Sequence, residues 1–495
     1  MLLPRVCVYA VQAFALFLPS LASRNSAIVS LSYGSFKGNT LENVTSFLSV
    51  PYAQPPVEEL RFAPPQPPLK LEGMRSAITF SDACPQQSIT LPGLLSNIIG
   101  NTSNEFIPNV NVSEDCLTVN IYKPTFARPD SSLSVLSWIY GVFGFLASRE
   151  MQNAGSTNLG LRDQRFALQW VHQYISSFGG DPDKVIIWGE SAGVISVGLH
   201  LLWNNGNSDG LFRGAVMART IFSVYNIVPT QSHKMQESGS PCALHNVSVG
   251  QPFYDDLVEY VNCSHRFDTL DCLRKAPYEH IQAWVNSTLN IFGYESLNLN
   301  PQRSMRMGHY ARVPLITGDC DDGGTLFSMG NANITFLFGA SSSEVRAVGQ
   351  AYPSNPSLRI ASFLGDWRYQ APRRLLLDTM SRTQDTWAFL YKRGKATPYL
   401  GSFHSTDLVE FFRAGDYIGI DALINFVHSM NPNTPSSLPS NVSYLSGISR
   451  DTWDSSIFAP PLLTFLDPAP KINITVDTYR SSSMALLNTL SLQIP

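Results

Sequence analysis

Val185-Ile186-Ile187-Trp188-Gly189-Glu190-Ser191-Ala192-Gly193 is the stretch on which the reading of this 495-residue chain turns. The first four residues form a short apolar run, consistent with a buried strand. The next five follow the pattern G-x-S-x-G. From Val194 to Leu202 the chain is apolar and reads as a helix. A serine between small residues, where a buried strand meets a helix, permits a sharp turn that lifts its hydroxyl out of the sheet. The helix starting there brings a backbone N–H, that of Ala192, to the place where an oxyanion would form. Ser191 is the candidate nucleophile and Ala192 a candidate oxyanion donor.

Outward from this stretch the same layering continues. Leu161 to Ser177 places Leu161, Ala167, Trp170, Val171, Tyr174 and Ile175 at the spacing of an amphipathic helix. Leu117–Tyr122 and Val135–Tyr140 read as strands, and Ile28–Val50 as short strands with turns at Gly34 and Gly38. Strands alternating with helices predict an α/β fold with a parallel sheet. Apolar residues make up 44% of the chain and charged residues 15%, which excludes a disordered chain or a coiled coil. Length alone suggests about three domains, but no linker or internal repeat divides the chain, so residues 23–495 are expected to form one domain. The net charge is −4 with no basic run, which argues against nucleic acid as a partner. No metal-ligand spacing and no dinucleotide fingerprint occur, so no metal and no cofactor are expected.

The N-terminus reads as an export signal over residues 1–22: Arg5, an apolar stretch from Val6 to Leu18, then small residues at Ser20, Ala22 and Ser23. The stretch is too short to span a bilayer. Nine Asn-X-Ser/Thr sequons, at Asn43, Asn101, Asn111, Asn246, Asn262, Asn286, Asn333, Asn441 and Asn473, suit a secreted glycoprotein. Without Cys7, six cysteines remain: Cys84, Cys116, Cys242, Cys263, Cys272 and Cys320. Count alone cannot pair them; Cys263 and Cys272 bracket a short loop and are the easiest local pair to close.

Phe178-Gly179-Gly180-Asp181-Pro182-Asp183-Lys184, continuing into the opening stretch through Gly193, resembles the nucleophile signature of the type-B carboxylesterase/lipase family. Glu114-Asp115-Cys116-Leu117-Thr118-Val119-Asn120-Ile121-Tyr122 resembles its second signature. Pro51-Tyr52-Ala53 and Leu60-Arg61-Phe62 are also similar, and the resemblance runs from about Ile28 to the C-terminus. It implies an α/β-hydrolase fold with a mostly parallel central sheet flanked by helices. It implies a secreted carboxylic-ester hydrolase acting through a serine acyl-enzyme, with a small-molecule or lipid ester as substrate; the lid-like loop at residues 84–116 is what suggests a transient contact with a lipid–water interface. It also implies disulfides Cys84–Cys116 and Cys263–Cys272, and leaves Cys242 and Cys320 unassigned.

A serine needs a base, and the base an orienting acid. Chain order in this fold is Ser, acid, His. His404, in Gly401-Ser402-Phe403-His404-Ser405, resembles the family's catalytic-histidine loop; His428, in an apolar stretch, reads as a core or helix residue. Thr317-Gly318-Asp319-Cys320-Asp321-Asp322-Gly323-Gly324-Thr325 resembles the acid loop, but Gly323 stands where the resemblance calls for a glutamate. Asp322 is the substitute candidate. Two further departures stand out. Trp138-Ile139-Tyr140-Gly141 runs straight into Val142-Phe143-Gly144-Phe145-Leu146, so the glycine-rich oxyanion loop and one interior strand are expected to be missing. Ala218–Lys234 reads as an insertion. Such a pair of changes suits a splicing or gene-model error; a degenerate homologue serving as an extracellular binding module is the alternative. Residues 84–116, with Ile89, Leu91, Leu94, Leu95, Ile98 and Ile99, read as a disulfide-closed, lid-like loop.

Overall fold

The residues 180–189 strand carries Val185 and Ile187 on one face and Ile186 and Trp188 on the other, all four buried. A strand apolar on both faces needs cover on both sides, and the structure supplies it. This structure, a computed structural model, describes residues 6–10, 27–85, 111–139, 144–190, 192–217, 247–287, 300–328, 342–352, 356–404, 406–412, 417–433 and 460–493.

Numbered in chain order, the strands are β1 (Val6–Ala10), β2 (Ile28–Leu31), β3 (Gly34–Lys37), β4 (Asn39–Leu41), β5 (Val44–Pro51), β6 (Met74–Ser76), β7 (Thr118–Pro124), β8 (Leu133–Ile139), β9 (Gly180–Gly189), β10 (Gly214–Met217), β11 (Leu315–Cys320), β12 (Thr386–Tyr391), β13 (Pro461–Phe465) and β14 (Ile472–Val476). Eleven of them form one sheet in the order β14-β13-β12-β11-β10-β9-β8-β1-β7-β5-β4; β2, β3 and β6 form a small second sheet. From β8 to β13 every neighbouring pair is parallel. The antiparallel pairs β13–β14 and β4–β5–β7 finish the two ends. This is the α/β fold with a mostly parallel sheet that the sequence pattern predicts, and the α/β-hydrolase architecture that the family resemblance implies.

One side of the sheet packs on the Leu159–Tyr174, Ala192–Gly206 and Ala371–Met380 helices, through Leu168, Val171, Val197, Leu201 and Leu376. The other packs on the Ile418–Ser429 helix through Ile418, Leu423, Phe426 and Val427. His428 lies exposed at the end of that helix, so the helix placement holds and core burial does not.

One interior strand is expected to be missing, and the place between β7 and β8 is where the sheet draws on a strand from the far N-terminus. That place is occupied by β1, parallel to β7 and antiparallel to β8. Buried strands on either side of an empty slot would each leave a row of N–H and C=O groups unpaired, and a five-residue apolar segment relieves both rows. Val6–Ala10 belongs to the segment read as an export signal, so strand and leader are alternative fates of the same residues.

Both expected disulfides are present, with Cα–Cα separations of 5.0 Å for Cys84–Cys116 and 5.7 Å for Cys263–Cys272. Cys320 is a buried free thiol; Cys242 lies outside the described residues, as do the 218–234 segment and the apolar residues of the lid-like loop. The neck of that loop is stitched by Ala83 N–H to Asn111 O at 2.8 Å and Ser113 N–H to Ala83 O at 2.9 Å. Two of the quoted motifs meet here. Arg61 forks onto the Glu114 carboxylate at 2.6 and 2.7 Å and donates to the carbonyls of Arg274 and Ala276 at 2.9 and 2.5 Å. A bidentate, charge-assisted pair ties the Leu60-Arg61-Phe62 segment to the second signature and to the end of the Thr269–Lys275 helix.

Candidate active site

The turn carrying the nucleophile is built from close backbone contact. β9 ends at Gly189 and the next helix begins at Ala192, leaving two residues to reverse direction. A Cβ on Gly189 would lie 2.1 Å from the Gly193 carbonyl oxygen, so only glycine fits there. Gly193 N–H closes the turn onto Glu190 O at 2.6 Å. Beneath it Trp188 stacks on Phe412, centroids 4.8 Å apart, with Trp138 edge-on at 4.5 Å. Ser191 lies outside the described residues; both of its neighbours are placed, and Ala192 begins the helix. Residues 140–143, where further oxyanion donors would belong, are also outside them. Gly144, at φ +103°, accepts from Gly160 N–H at 3.0 Å, and a Cβ there would strike the Gly160 nitrogen at 2.6 Å.

His404 and Asp322 come from adjacent parallel strands. His404 follows β12 and Asp322 follows β11, and the two loops are sewn together. Asp322 pairs with Phe403 in an isolated bridge, and Asp322 N–H donates to Ser402 O at 2.9 Å. Ser402 N–H donates back to Asp322 Oδ2 at 2.8 Å, and Thr325 Oγ1 donates to Leu400 O at 2.8 Å. Gly401 makes this possible: a Cβ at that position would fall 2.2 Å from Asp322 Oδ2. The Asp322 carboxylate also receives Lys395 Nζ at 2.6 Å, and Lys395 reaches Asp321 as well. Partial burial works against the Lys395 charge, but the bonds from Asp321 and Asp322 hold its ammonium above the ordinary range. The bonds of Asp322 therefore fasten the histidine loop from its backbone side. Gly323 is buried in the turn that follows, its N–H on Cys320 O at 3.3 Å.

His404 itself is buried, and its ring lies against Tyr369, centroids 5.4 Å apart and planes 21° from parallel. Tyr369 belongs to a wholly buried π-helical turn, Asp366–Gln370. The turn is anchored by Arg480 on Asp366 and by Gln370 Nε2 donating to Cys320 O at 3.2 Å. Below the acid loop a buried ion network holds β11. Arg373 bonds Asp319 at 2.8 Å and Asp477 at 2.7 Å, and Arg374 bonds Asp477 at 2.6 Å. Burial raises the Asp477 carboxyl, but the two arginines outweigh it and hold the group below its ordinary range. Sequence reasoning missed Tyr369, Lys395 and this network, because no local motif marks residues brought together from separate strands, helices and loops far apart in the chain.

Among the described residues no cluster of three or more His, Cys, Asp or Glu side chains is placed to hold a metal, and no helix is long and apolar enough to cross a membrane. A profile of the carboxylesterase family matches residues 25–142 and 140–352, two segments that meet at the Gly141–Val142 junction. Secreted lipase 1 of Botryotinia fuckeliana (strain B05.10) is 30% identical over 81% of this chain and 83% of its own length. Para-nitrobenzyl esterase of Bacillus subtilis (strain 168) is 28% identical over 80% of this chain and 84% of its own. Aspergillus niger EstA superposes with a TM-score of 0.76 at 24% identity, covering 95% of this chain and 99% of that one.

Proposed function

The chain belongs to the carboxylesterase family, the type-B carboxylesterase/lipase group, and from that premise we propose that it hydrolyses carboxylic esters through an acyl-enzyme on Ser191. The observation that carries the reading is the tight strand–turn–helix from Gly189 to Ala192, together with a buried His404 on a loop tied to Asp322. Ser191 Oγ attacks the ester carbonyl carbon. His404 takes the serine proton and passes it to the leaving alcohol, then activates water to release the acid. Ala192 N–H stabilises the oxyanion. Asp322 acts as the orienting acid of the site by way of the histidine loop, and Tyr369 fixes the plane of the imidazole. Each missing oxyanion donor costs about 10²–10³ in rate; an acid that does not touch the imidazole costs up to about 10⁴. A slow esterase is the expected product. Hydrolysis of short and long p-nitrophenyl esters, lost in Ser191→Ala, tests the assignment; equal rates in the two proteins overturn it.

Gly323, and an Asp322 carboxylate held by Lys395 and Ser402, favour a second reading: a hydrolase homologue without turnover that serves as an extracellular binding module. A fluorophosphonate probe separates the two, since only an activated Ser191 is labelled. Apolar residues within the 84–116 loop support lipid esters and a lipid–water interface as the working environment. Secretion is supported by the N-terminal apolar stretch, the sequons, the two disulfides and the name of the secreted relative. N-terminal sequencing of the exported product decides the fate of Val6–Ala10: a start near Ser23 marks a leader, a start at Met1 a retained strand. Sequencing the transcript across Gly141–Val142 and Ala218–Lys234 tests the splicing error.

A further inference from the structure

The eleven-stranded sheet has two ends, β4 and β14. Edge strands offer unpaired backbone groups to a second copy, and natural sheets blunt them with charge, proline or a bulge. Neither end strand here has a charged residue or a proline: Asn39-Thr40-Leu41 and Ile472-Asn473-Ile474-Thr475-Val476. The second is a run of high β-propensity of the kind that templates cross-β pairing. Both carry exposed apolar residues, with a single exposed charge next to each strand in sequence, Glu42 after β4 and Lys471 before β14. Leu41 is 72% exposed and Val44 45%, with Phe126 at 63% alongside, where Thr125 N–H bonds Asn43 O at 2.9 Å. On the other edge Ile474 is 42% exposed and Val476 47%. Asp477, next in sequence, is no gatekeeper, because Arg373 and Arg374 hold it inside the core.

What stands at each end instead is a sequon. Asn43 lies exposed in the turn that joins β4 to β5, and Asn473 lies exposed within β14, opposite Thr464. Three other sequon asparagines among the described residues, Asn111, Asn262 and Asn286, are exposed as well, and none of them is in a strand. We propose that Asn43 and Asn473 carry N-linked glycans that cap the two ends of the sheet against pairing with a second copy of the chain. The proposal rests on the reading of the chain as exported. In the transfer, Asn Nδ2 bonds to C1 of an oligosaccharide carried on a lipid pyrophosphate. The C1–O bond breaks, the lipid pyrophosphate leaves with the electron pair, and the amide gives up one proton. In the folded chain the Thr475 hydroxyl pairs with Thr464 Oγ1 at 2.6 Å, so the modification precedes closure of β13 on β14. Side chains alternate along β14, so a glycan on Asn473 leaves from the face opposite Ile474 and Val476 and acts by its bulk at the edge. At Asn43 it sits directly beside Leu41 and Val44.

The test is the full chain expressed in a secreting eukaryotic host, with glycosidase-catalysed isotope labelling of occupied asparagines and light scattering of the purified protein. The expected result is occupancy at Asn43 and Asn473. The Asn43→Gln/Asn473→Gln pair should self-associate several-fold more than an Asn262→Gln/Asn286→Gln control. Empty sites, or equal association of the two double variants, overturn it. If the chain is not exported, no sequon is modified and it is the export reading that fails. The edges are then tested in unglycosylated protein made inside the cell, where Leu41→Lys/Ile474→Lys should reduce self-association several-fold; no reduction overturns the edge assignment itself.

Discussion

His200 lies on the Ala192–Gly206 helix that follows the nucleophile turn, with none of its surface exposed and Nε2 3.1 Å from Gln164 Oε1. Burial above all, and then the positive field of Arg165, push its pKa from 6.5 down to about 3. The folded chain therefore keeps the imidazole neutral while the unfolded chain protonates it. Its contribution to stability is intact above pH 6.5 and is lost as the pH falls toward 3; between pH 7 and pH 4 the loss is about 3 kcal/mol. Asp163, one helix away and recessed in the protein, has the opposite sign. Burial lifts its pKa from 3.8 to about 7. The folded state holds a proton that the unfolded state releases, so acidification over the same window stabilises the fold, again by about 3 kcal/mol. The two terms nearly cancel in the wild type, and single substitutions unmask them. On going from pH 7 to pH 4, His200→Gln should gain about 3 kcal/mol relative to the wild type's own change, and Asp163→Asn should lose about as much. Urea unfolding followed by tryptophan fluorescence at pH 7, 6, 5 and 4 reads the differences, in which all other titrating groups drop out. Parallel stability profiles for wild type and His200→Gln would show that the buried imidazole does not carry the effect.

Gly189→Ala forces a methyl group onto the Gly193 carbonyl and should cost more than about 3 kcal/mol, read as a lowered urea midpoint; an unchanged midpoint refutes the close contact. Tyr369→Leu removes the ring against His404, and the lost stabilisation of the imidazolium, about 1 kcal/mol, should lower kcat on p-nitrophenyl butyrate about five-fold and shift the acid limb of the profile down. Tyr369→Phe should retain the wild-type value, and a loss in Phe equal to that in Leu rules out stacking as the cause. Arg61→Ala leaves Glu114 and two carbonyls without their partner and should destabilise by about 3 kcal/mol, whereas a change under about 0.5 kcal/mol marks the pair as a surface contact.

Strands, helices and the layered fold were legible because each element carries its own periodicity. The Val185–Trp188 run and the 161–177 helix pattern correspond to β9 and to Leu159–Tyr174, followed by a short turn to Phe178. The elbow was legible for the same reason: its glycines answer a contact made within five residues. The acid loop was harder. Gly323 announces that a carboxylate is missing, but where the Asp322 carboxylate goes depends on Gly401 and Lys395, from a loop some eighty residues on. Least legible was the occupant of the slot between β7 and β8. Hydropathy marks Val6–Leu18 as apolar, and apolarity suits a leader and a buried strand equally.

The ion network beneath the acid loop has a consequence for the order in which the protein comes into being. Asp477 neutralises Arg373 and Arg374, and through Arg373 it holds Asp319 near the C-terminal end of β11. A growing chain that has emerged through His404 already contains the elbow, the acid loop and the histidine loop, yet the buried Arg374 still lacks its carboxylate and Arg373 has only Asp319 of its two. Synthesis must run some seventy residues further before that deficit is closed. Until then the loops bearing Asp322 and His404 stand on an unfinished footing. On the roles proposed for Ser191 and His404, the site is then among the last parts of the molecule to be completed.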